Sequence, residues 1–532
     1  MYNLIPFENS IARRLLAQAT LNPTNIALKT DHTQYSYEAL FNIAKNIAVF
    51  IQDSMDVQSI IMAGRNIAAY AGLLGSLLAG KTYVFLNCKD NESRIKQNFL
   101  QVSSSLVITD IAHFELAKSF LERKENYAVI CVLVEKGGKL RFFSKNNSNQ
   151  MKEHCLSVSE YQAPNVASNI AYLMFTSGST GLPKKVPITH ANLYAFLDNM
   201  IARIKPTNSD VFSHINELTF DFSVYDIFVC WIVGACLCVL PDNYILGIPR
   251  YIEENKITYW ACVPSLVNLL NQLKKIPINA FNSIRYTVFC GEALTTDIAK
   301  KWQQAAPNSV IDNLYGPTEA TVAISGYIWK QYENTIIPIG HVFNDQGFYL
   351  LNDAGQIVEE GEPGEICLYG TQVMSGYWRD EVITAEQFIT VFGKRVYKTG
   401  DLAVWNEKEG LIYKGRKDDQ LKIRGYRVEK LEIENRIKLI TETPFVAIVP
   451  IQDTVTGHTL SLSCFIAGTI KNKNELLLLC RQTLPDYMLP ANIIKLDQLP
   501  YNKNGKVDYQ QLNILAKNPD HQLQRMGESC YE

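Results

Sequence analysis

The chain has 532 residues, with 51 Lys and Arg against 53 Asp and Glu and an apolar content of 47%. That length exceeds what one hydrophobic core serves, so two or more domains are expected. A net charge of −2 offers no broad basic surface for nucleic acid or an anionic membrane. The longest apolar stretch, Ile227 to Leu240, falls short of the ~20 residues that span a bilayer.

The first ten residues, MYNLIPFENS, lack the basic-then-apolar pattern of an export signal. The 12 cysteines are scattered, several within apolar runs (Cys230, Cys236, Cys238, Cys262), with no C-x-x-C and no zinc-type spacing to histidine. Reduced core thiols and a cytoplasmic location follow as expectations. His190 and His214 stand near chemically interesting stretches, but a lone histidine is read first as structural.

In chain order, Ile11, Leu15, Leu16 and Ala19 predict a helix over residues 10–21. Ser36 is placed to cap a second helix opening at Tyr35–Leu40. Ile60–Met62 reads as a buried strand, 68–79 as a small-residue helix ending at Gly80, and Tyr83–Leu86, Leu106–Thr109 and Val129–Val134 as further strands. Strands alternating with helices predict parallel sheets covered by helices. Residues 145–150, KNNSNQ, read as a polar surface loop, and 191–204 as a helix. The nearly all-apolar run 219–241 must be core. Strands are expected at 257–263 and 283–290, each followed by a helix. Short strands with glycine turns over 346–402 suggest a β-rich subdomain. A smaller α/β unit is expected from Asp418 to about Leu515, followed by a frayed polar end.

The stretch Leu173–Val186, LMFTSGSTGLPKKV, predicts a buried strand running into a loop of glycines, hydroxyls and lysines. Glycines let a backbone wrap tightly around an anion, amides and hydroxyls donate to it, and lysine adds a point charge. The loop lacks the Gly-Lys pair of the common phosphate loop, because Pro183 precedes Lys184. A Ser/Gly-rich linker is the bland reading of that loop alone. Asn313–Glu319, NLYGPTE, is a second compact loop: Tyr315 offers a flat face for a base, and Thr318 and Glu319 offer oxygens for Mg²⁺. Tyr397–Asp401, YKTGD, reads as a carboxylate after a tight turn, suited to two ribose hydroxyls. Gly415–Gln420 is charged and turn-rich, and Asn504–Asp508 displays one lysine, Lys506, on a turn. Each fragment alone is weak, and together in this order they form a pattern.

From Tyr35 to Asp508 that pattern resembles the adenylate-forming superfamily, in particular free-standing amino-acid adenylation enzymes of nonribosomal peptide synthesis and D-alanine–carrier protein ligases. The resemblance implies an α/β fold: a large N-terminal domain, 1–417, with parallel-type sheets plus the β-rich subdomain, and a small mobile α+β C-terminal domain, 418–532. It implies activation of a carboxylate by ATP with Mg²⁺, release of pyrophosphate, and passage of the acyl group to a phosphopantetheine thiol. Thr176, Ser177, Gly178, Ser179, Thr180, Gly181 and Lys184 would hold phosphates. Asn313, Tyr315, Gly316 and Thr318 would line the nucleotide, with Tyr413 on the other face of the base. Asp401 would bind the ribose, helped by Arg416 and Lys422. Glu319 would take Mg²⁺, Asp418 would be the hinge, and Lys506 would bridge the substrate carboxylate and the α-phosphate. Two departures from relatives stand out: Lys185 where glycine is usual, and Lys430–Leu431 in the hinge segment.

The resemblance also assigns Asp221 to the substrate's α-ammonium group. An N-cap aspartate is the alternative. The pocket walls would be Phe222, Tyr225, Ala261, Val288, Cys290, Leu314, Val322 and Ala323. None of these carries a formal charge, so a charged substrate side chain would be buried unpaired. A small apolar amino acid is expected, with proline first and alanine, D-alanine or valine behind it. With no carrier segment after Asp508, the partner is expected to be a separate carrier protein. An acyl- or aryl-CoA ligase is the rival within the same fold, and a non-catalytic nucleotide-binding module is the rival of another class.

Overall fold

The computed structural model describes residues 3–30, 33–122, 130–145, 151–154, 160–178, 183–242, 244–330, 334–418, 420–453, 459–467, 473–502 and 507–517. Expectations for 146–150 and for the chain end after Lys517 lie outside them. The described residues form two compact units. The first takes Met1–Cys88, Ile95–Phe175 and Lys185–Lys417; the second takes Lys89–Arg94, Thr176–Lys184 and Asp418–Glu532.

A nine-stranded sheet in the first unit carries Ala261, Val288, Asn313, Leu314 and Tyr315 on its strands. Its spatial order is His341–Val342, Ser325–Ile328, Val310–Tyr315, Tyr286–Phe289, Tyr259–Cys262, Val211–His214, Cys236–Val239, Ile26–Thr30, Thr33–Ser36. The six strands from Val310–Tyr315 to Ile26–Thr30 run parallel, and the edges are antiparallel. Open sheets of this kind bind ligands outside the carboxyl ends of their strands. Here those ends are Tyr315, Phe289, Cys262 and His214.

An eight-stranded sheet runs Lys184–Thr189, Ile170–Thr176, Thr82–Phe85, Gln58–Met62, Leu106–Asp110, Ile130–Val134, Leu140–Lys145, Met151–His154. Its centre is parallel, as the alternation of strands and helices predicts. The helix Tyr37–Ile51 illustrates the local logic. Ser36 Oγ accepts from the Ala39 amide at 3.1 Å, satisfying one orphan donor of the first turn. Tyr37, Leu40, Phe41, Ala44, Ile47, Ala48 and Ile51 then repeat at helical spacing and are buried.

Two local expectations are corrected. Lys184–Val186 is not loop but the start of the strand Lys184–Thr189. Val186 and Ile188 are buried there, and Pro187 is tolerated because the strand is at the sheet's edge, where a missing N–H breaks no central ladder. Nor does Asp401 follow a chain-reversing turn. It lies inside the long strand Lys394–Asn406, where Gly400 at φ +73° breaks the regular conformation without ending the strand.

The run 219–241 is core, as its composition requires. It folds as a helical turn Phe222–Val224, a π turn Tyr225–Val229, a turn Cys230–Ile232 and the strand Cys236–Val239. The β-rich part pairs Gln346–Leu351, Pro363–Gly370, Lys394–Asn406 and Phe388–Val391, with Gly410–Arg416 on the far side of the long strand. In the second unit a hairpin, Gln420–Ile423 with Tyr426–Glu429, precedes the helix Lys430–Thr441. A three-stranded sheet of Val446–Gln452, Thr459–Ala467 and Asn492–Leu496 follows. Among the described residues no helix is long and apolar enough to cross a membrane, and the ten described cysteines are free thiols, all buried but Cys88.

Candidate active site

The carboxyl end of Val310–Tyr315 meets the β-rich strands at a buried polar cluster. Tyr315 Oη donates to Asp401 Oδ2 at 2.7 Å, and Arg416 Nη1 donates to Asp401 Oδ1 at 2.7 Å. Asp401 and Arg416 face each other across paired strands, so the pairing register itself brings the charges together. Burial and the Asp401 carboxylate push the Tyr315 phenol well above its ordinary range, so it acts as a donor. Tyr413 packs against the same hydrophobic cluster as Tyr315. Asn313 Nδ2 donates to the Pro338 carbonyl at 2.8 Å and the Ile337 carbonyl at 3.3 Å. Its Oδ1 is buried with no hydrogen-bond partner among the described residues. At Gly316 a Cβ would stand 2.6 Å from the Ala323 Cα, so only glycine lets the loop pass its own return strand.

Thr318 opens the turn Thr318–Ala320. Glu319 is buried and accepts from Tyr377 Oη at 2.7 Å through Oε1. The next two residues, Thr321 and Val322, both have positive φ (57° and 69°). That conformation is rare for β-branched side chains and persists only when surroundings enforce it. Gln372 does so: its Nε2 donates to the Ala323 carbonyl at 2.6 Å, and its carbonyl accepts from Thr321 Oγ1 at 2.6 Å. Sequence reading missed Tyr377 and Gln372. Neither belongs to a recognisable motif, and both act through folded contacts about 50 residues away in sequence.

Phe222, Tyr225, Ala261, Val288, Cys290, Leu314, Val322 and Ala323 all fall in one buried hydrophobic cluster. Sheet register accounts for part of this. Ala261 is opposite Val288, and Val288 is opposite Asp312, two residues before Leu314, so Ala261, Val288 and Leu314 share a face. The rings of Phe222 and Tyr225 lie 5.7 Å apart. Asp221 is buried and precedes the turn Phe222–Val224, yet its backbone is already helical and its side chain makes no cap bond. The N-cap alternative is therefore excluded.

In the second unit, Ser177 and Gly178 are buried, and Ser177 Oγ donates to the Arg427 carbonyl at 2.8 Å. Thr176 Oγ1 is buried without a partner among the described residues. Lys184 Nζ is 3.9 Å from Glu429 Oε1. Lys422 pairs with Arg427 in the hairpin, and Asp418 Oδ1 accepts from the Gln420 amide at 3.3 Å. Of the two departures, Lys430 is buried with its ammonium 3.7 Å from the Tyr509 ring centroid, while Leu431 is exposed. In the first unit the Lys185 carbonyl accepts from the Trp378 amide at 2.8 Å. Ser179, Thr180, Gly181 and Lys506 lie outside the described residues.

The family model described as AMP-binding enzyme matches residues 15–378. The chain belongs to that family. Bacitracin synthase 1 of Bacillus licheniformis is 30% identical over 502 residues, covering 92% of this chain and 9% of that protein. Across three curated peptide synthases that it matches, the chain spans only 7–13% of their length. The D-alanine–D-alanyl carrier protein ligase of Bacillus anthracis (strain CDC 684 / NRRL 3495) is 29% identical over 465 residues, 82% of this chain and 85% of the relative. Among solved structures, the Vibrio cholerae adenylation domain AlmE in complex with glycyl-adenosine-5'-phosphate superposes with a TM-score of 0.84. It is 27% identical, with 95% of this chain and 97% of that one covered.

Adenylate-forming members of the AMP-binding family use ATP with Mg²⁺. The residues present fit the nucleotide. The buried, unpartnered Asn313 Oδ1 is an acceptor suited to an exocyclic amine, and leaving it unsatisfied costs about 1–3 kcal/mol. Asp401, held by Tyr315 and Arg416, is a fixed carboxylate suited to ribose hydroxyls. Among the described residues no group of three or more His, Cys, Asp and Glu could hold a metal ion.

Proposed function

We propose that this protein activates a small amino acid with ATP, forming an aminoacyl adenylate and pyrophosphate, and passes the aminoacyl group to the phosphopantetheine thiol of a carrier protein in the cytoplasm. The observation that carries the reading is Asp221: a buried carboxylate at the head of the turn that bears Phe222 and Tyr225, beside a cluster of uncharged walls. A carboxylate at that position is complementary in charge to the ammonium group of an amino acid. The resemblance to a D-alanine–carrier ligase and to an adenylation domain crystallised with a glycyl adenylate supports the same class.

In the first step a substrate carboxylate oxygen attacks the α-phosphorus, and the bond from that phosphorus to the bridging oxygen breaks, releasing pyrophosphate. Asn313, Tyr315, Gly316, Thr318 and Tyr413 line the nucleoside, and Asp401 holds the ribose with Arg416 and Lys422. Ser177–Lys184 hold the phosphates, and Glu319 would hold Mg²⁺, which would screen their charge. Lys506 would bridge carboxylate and α-phosphate, where charge grows in the transition state, so its stabilisation would be greater there than in the ground state. In the second step the carrier's thiolate attacks the acyl carbon, AMP leaves, and the thiol proton goes to solvent. Asp418 serves as the hinge of a mobile domain, 418–532, that carries Lys506 in for the first step and away for the second.

Uncharged walls with two aromatic rings favour a small apolar side chain. Proline leads, because Phe222 and Tyr225 suit a flat ring. Alanine of either hand and valine follow, and glycine joins them from the AlmE complex. ATP–pyrophosphate exchange over these amino acids and their des-amino analogues tests the proposal. Exchange with one small amino acid and not with its des-amino analogue is expected. Equal rates for both remove Asp221 as amine partner and favour a CoA-ligase reading.

A further inference from the structure

A second buried polar cluster borders the substrate walls, and none of the steps above uses it. His214 Nδ1 lies 3.0 Å from Asp226 Oδ2, and Asn216 Nδ2 donates to the same oxygen at 2.9 Å. Both His214 and Asp226 are completely buried. Arg65, in the loop before the helix Ile67–Leu78, binds the residue next to His214. Its Nη1 donates to the Ile215 carbonyl at 2.9 Å and its Nη2 to Asp242 Oδ1 at 2.6 Å, with the side chain only 8% exposed. Tyr70, on that helix, stands edge-on to the His214 ring at 5.8 Å. Burial pushes the Asp226 carboxyl up and the His214 imidazole down.

Asp221 stands midway between Asn216 and Asp226, five residues from each. The Asn216–Asp226 bond therefore closes the stretch 216–226 into a loop with Asp221 at its middle. His214 anchors that closure to the end of its strand, and Arg65 ties the neighbouring Ile215 carbonyl to the segment carrying Asp242. Asp226 is also part of the π turn Tyr225–Val229, immediately after the wall residue Tyr225. Such turns are inserted where a helix must re-aim its side chains and are frequent at functional sites. An apolar core could hold this stretch without the desolvation that buried polar groups cost. What a directional hydrogen-bonded closure adds is a fixed aim.

We propose that Arg65, His214, Asn216 and Asp226 are positioning residues for Asp221, fixing the loop 216–226 so that its carboxylate meets the substrate's ammonium group. The inference rests on the reading of Asp221 as amine partner. A displacement of about 1 Å at such a contact can cost on the order of 10²-fold.

The test is pyrophosphate exchange on the full chain with Asp226→Ala, Asp226→Asn, Asn216→Ala and Asp221→Asn, reading the amino-acid KM, the ATP KM, the rate with the des-amino analogue and the melting temperature. For Asp226→Ala the amino-acid KM should rise about 10-fold or more, with the ATP KM and the des-amino rate unchanged. Asp226→Asn, which keeps shape and an acceptor oxygen for Asn216, should restore the amino-acid KM to within about threefold. If Asp226→Ala does not fold, Asn216→Ala decides, with a rise of about threefold or more expected. The proposal is overturned if the variants lower the melting temperature while leaving the amino-acid KM alone, or if both KM values rise together. If Asp221→Asn itself leaves the amino-acid KM unchanged, the amine reading falls first. If Asp221→Asn raises it and the cluster variants do not, only the positioning inference falls.

Discussion

Asp401→Asn isolates the charge at the centre of the nucleotide cluster while keeping its shape. In the native protein one carboxylate oxygen accepts from Tyr315 and the other from Arg416, each at 2.7 Å. An asparagine offers one oxygen and one amide. The guanidinium cannot be deprotonated, so it keeps the oxygen, and the amide is left facing a tyrosine hydroxyl. The ribose hydroxyls then lose a charged acceptor. A hydrogen bond to a charged group contributes about 1.5–3 kcal/mol, so the ATP KM should rise about 10- to 150-fold. The pair is nearly buried, at 9% and 4% side-chain exposure, so stability should also fall, by about 3 kcal/mol or less since a hydrogen bond to Arg416 survives. The assay is the ATP dependence of pyrophosphate exchange at saturating amino acid, below the variant's melting temperature. An ATP KM within threefold of wild type, in a variant whose melting temperature has dropped, refutes the ribose role of Asp401. A rise in the amino-acid KM instead refutes the division of the site.

Lys506→Ala should slow adenylate formation at least ~10²-fold, the scale of losing one fixed electrostatic donor. Thiol transfer from a preformed adenylate should suffer much less, and equal loss in both half-reactions counts against the role. Arg203 donates to both oxygens of the fully buried Asp312, at 2.6 and 2.8 Å. Arg203→Leu should therefore lower stability by about 3 kcal/mol in urea unfolding, and Asp312→Asn in that background should recover part of it. His190 is buried, with Nδ1 accepting from the Ile11 amide at 3.2 Å, and burial lowers its pKa from 6.5 to about 4. The unfolded chain binds the proton more readily, so this contribution is complete above pH 6.5 and is lost as pH falls towards 4. About 2 kcal/mol should be gone by pH 5. The urea midpoint of His190→Gln should fall less between pH 7 and pH 5; an identical fall removes His190 as the cause.

Much of the fold was legible because its signals are local. Ser36 capping Tyr37–Ile51 and the apolar repeats of Ile11–Leu21 need only near neighbours in sequence. Glycine was read less well. At Gly400 it looked like a turn, yet the antiparallel partner Pro363–Gly370 pairs with residues before and after it, across a register shift, so the strand continues past it. Lys184–Val186 looked like loop because charge and Pro187 hide an edge strand, whose pairing is decided by a partner elsewhere in the chain.

The order of residue types along the chain determined the family, the alternation of strands and helices, and which side chains bear chemistry, because these depend on composition and short spacing. Tertiary structure alone decided that Asp401 is gripped by Tyr315 and Arg416, that Glu319 is held by Tyr377, and that Asn216 and Asp226 close a loop around Asp221. The physical reason is that a hydrogen bond or buried charge pair acts over a few ångströms. Only folding brings together groups that stand 10 to 86 residues apart in the chain.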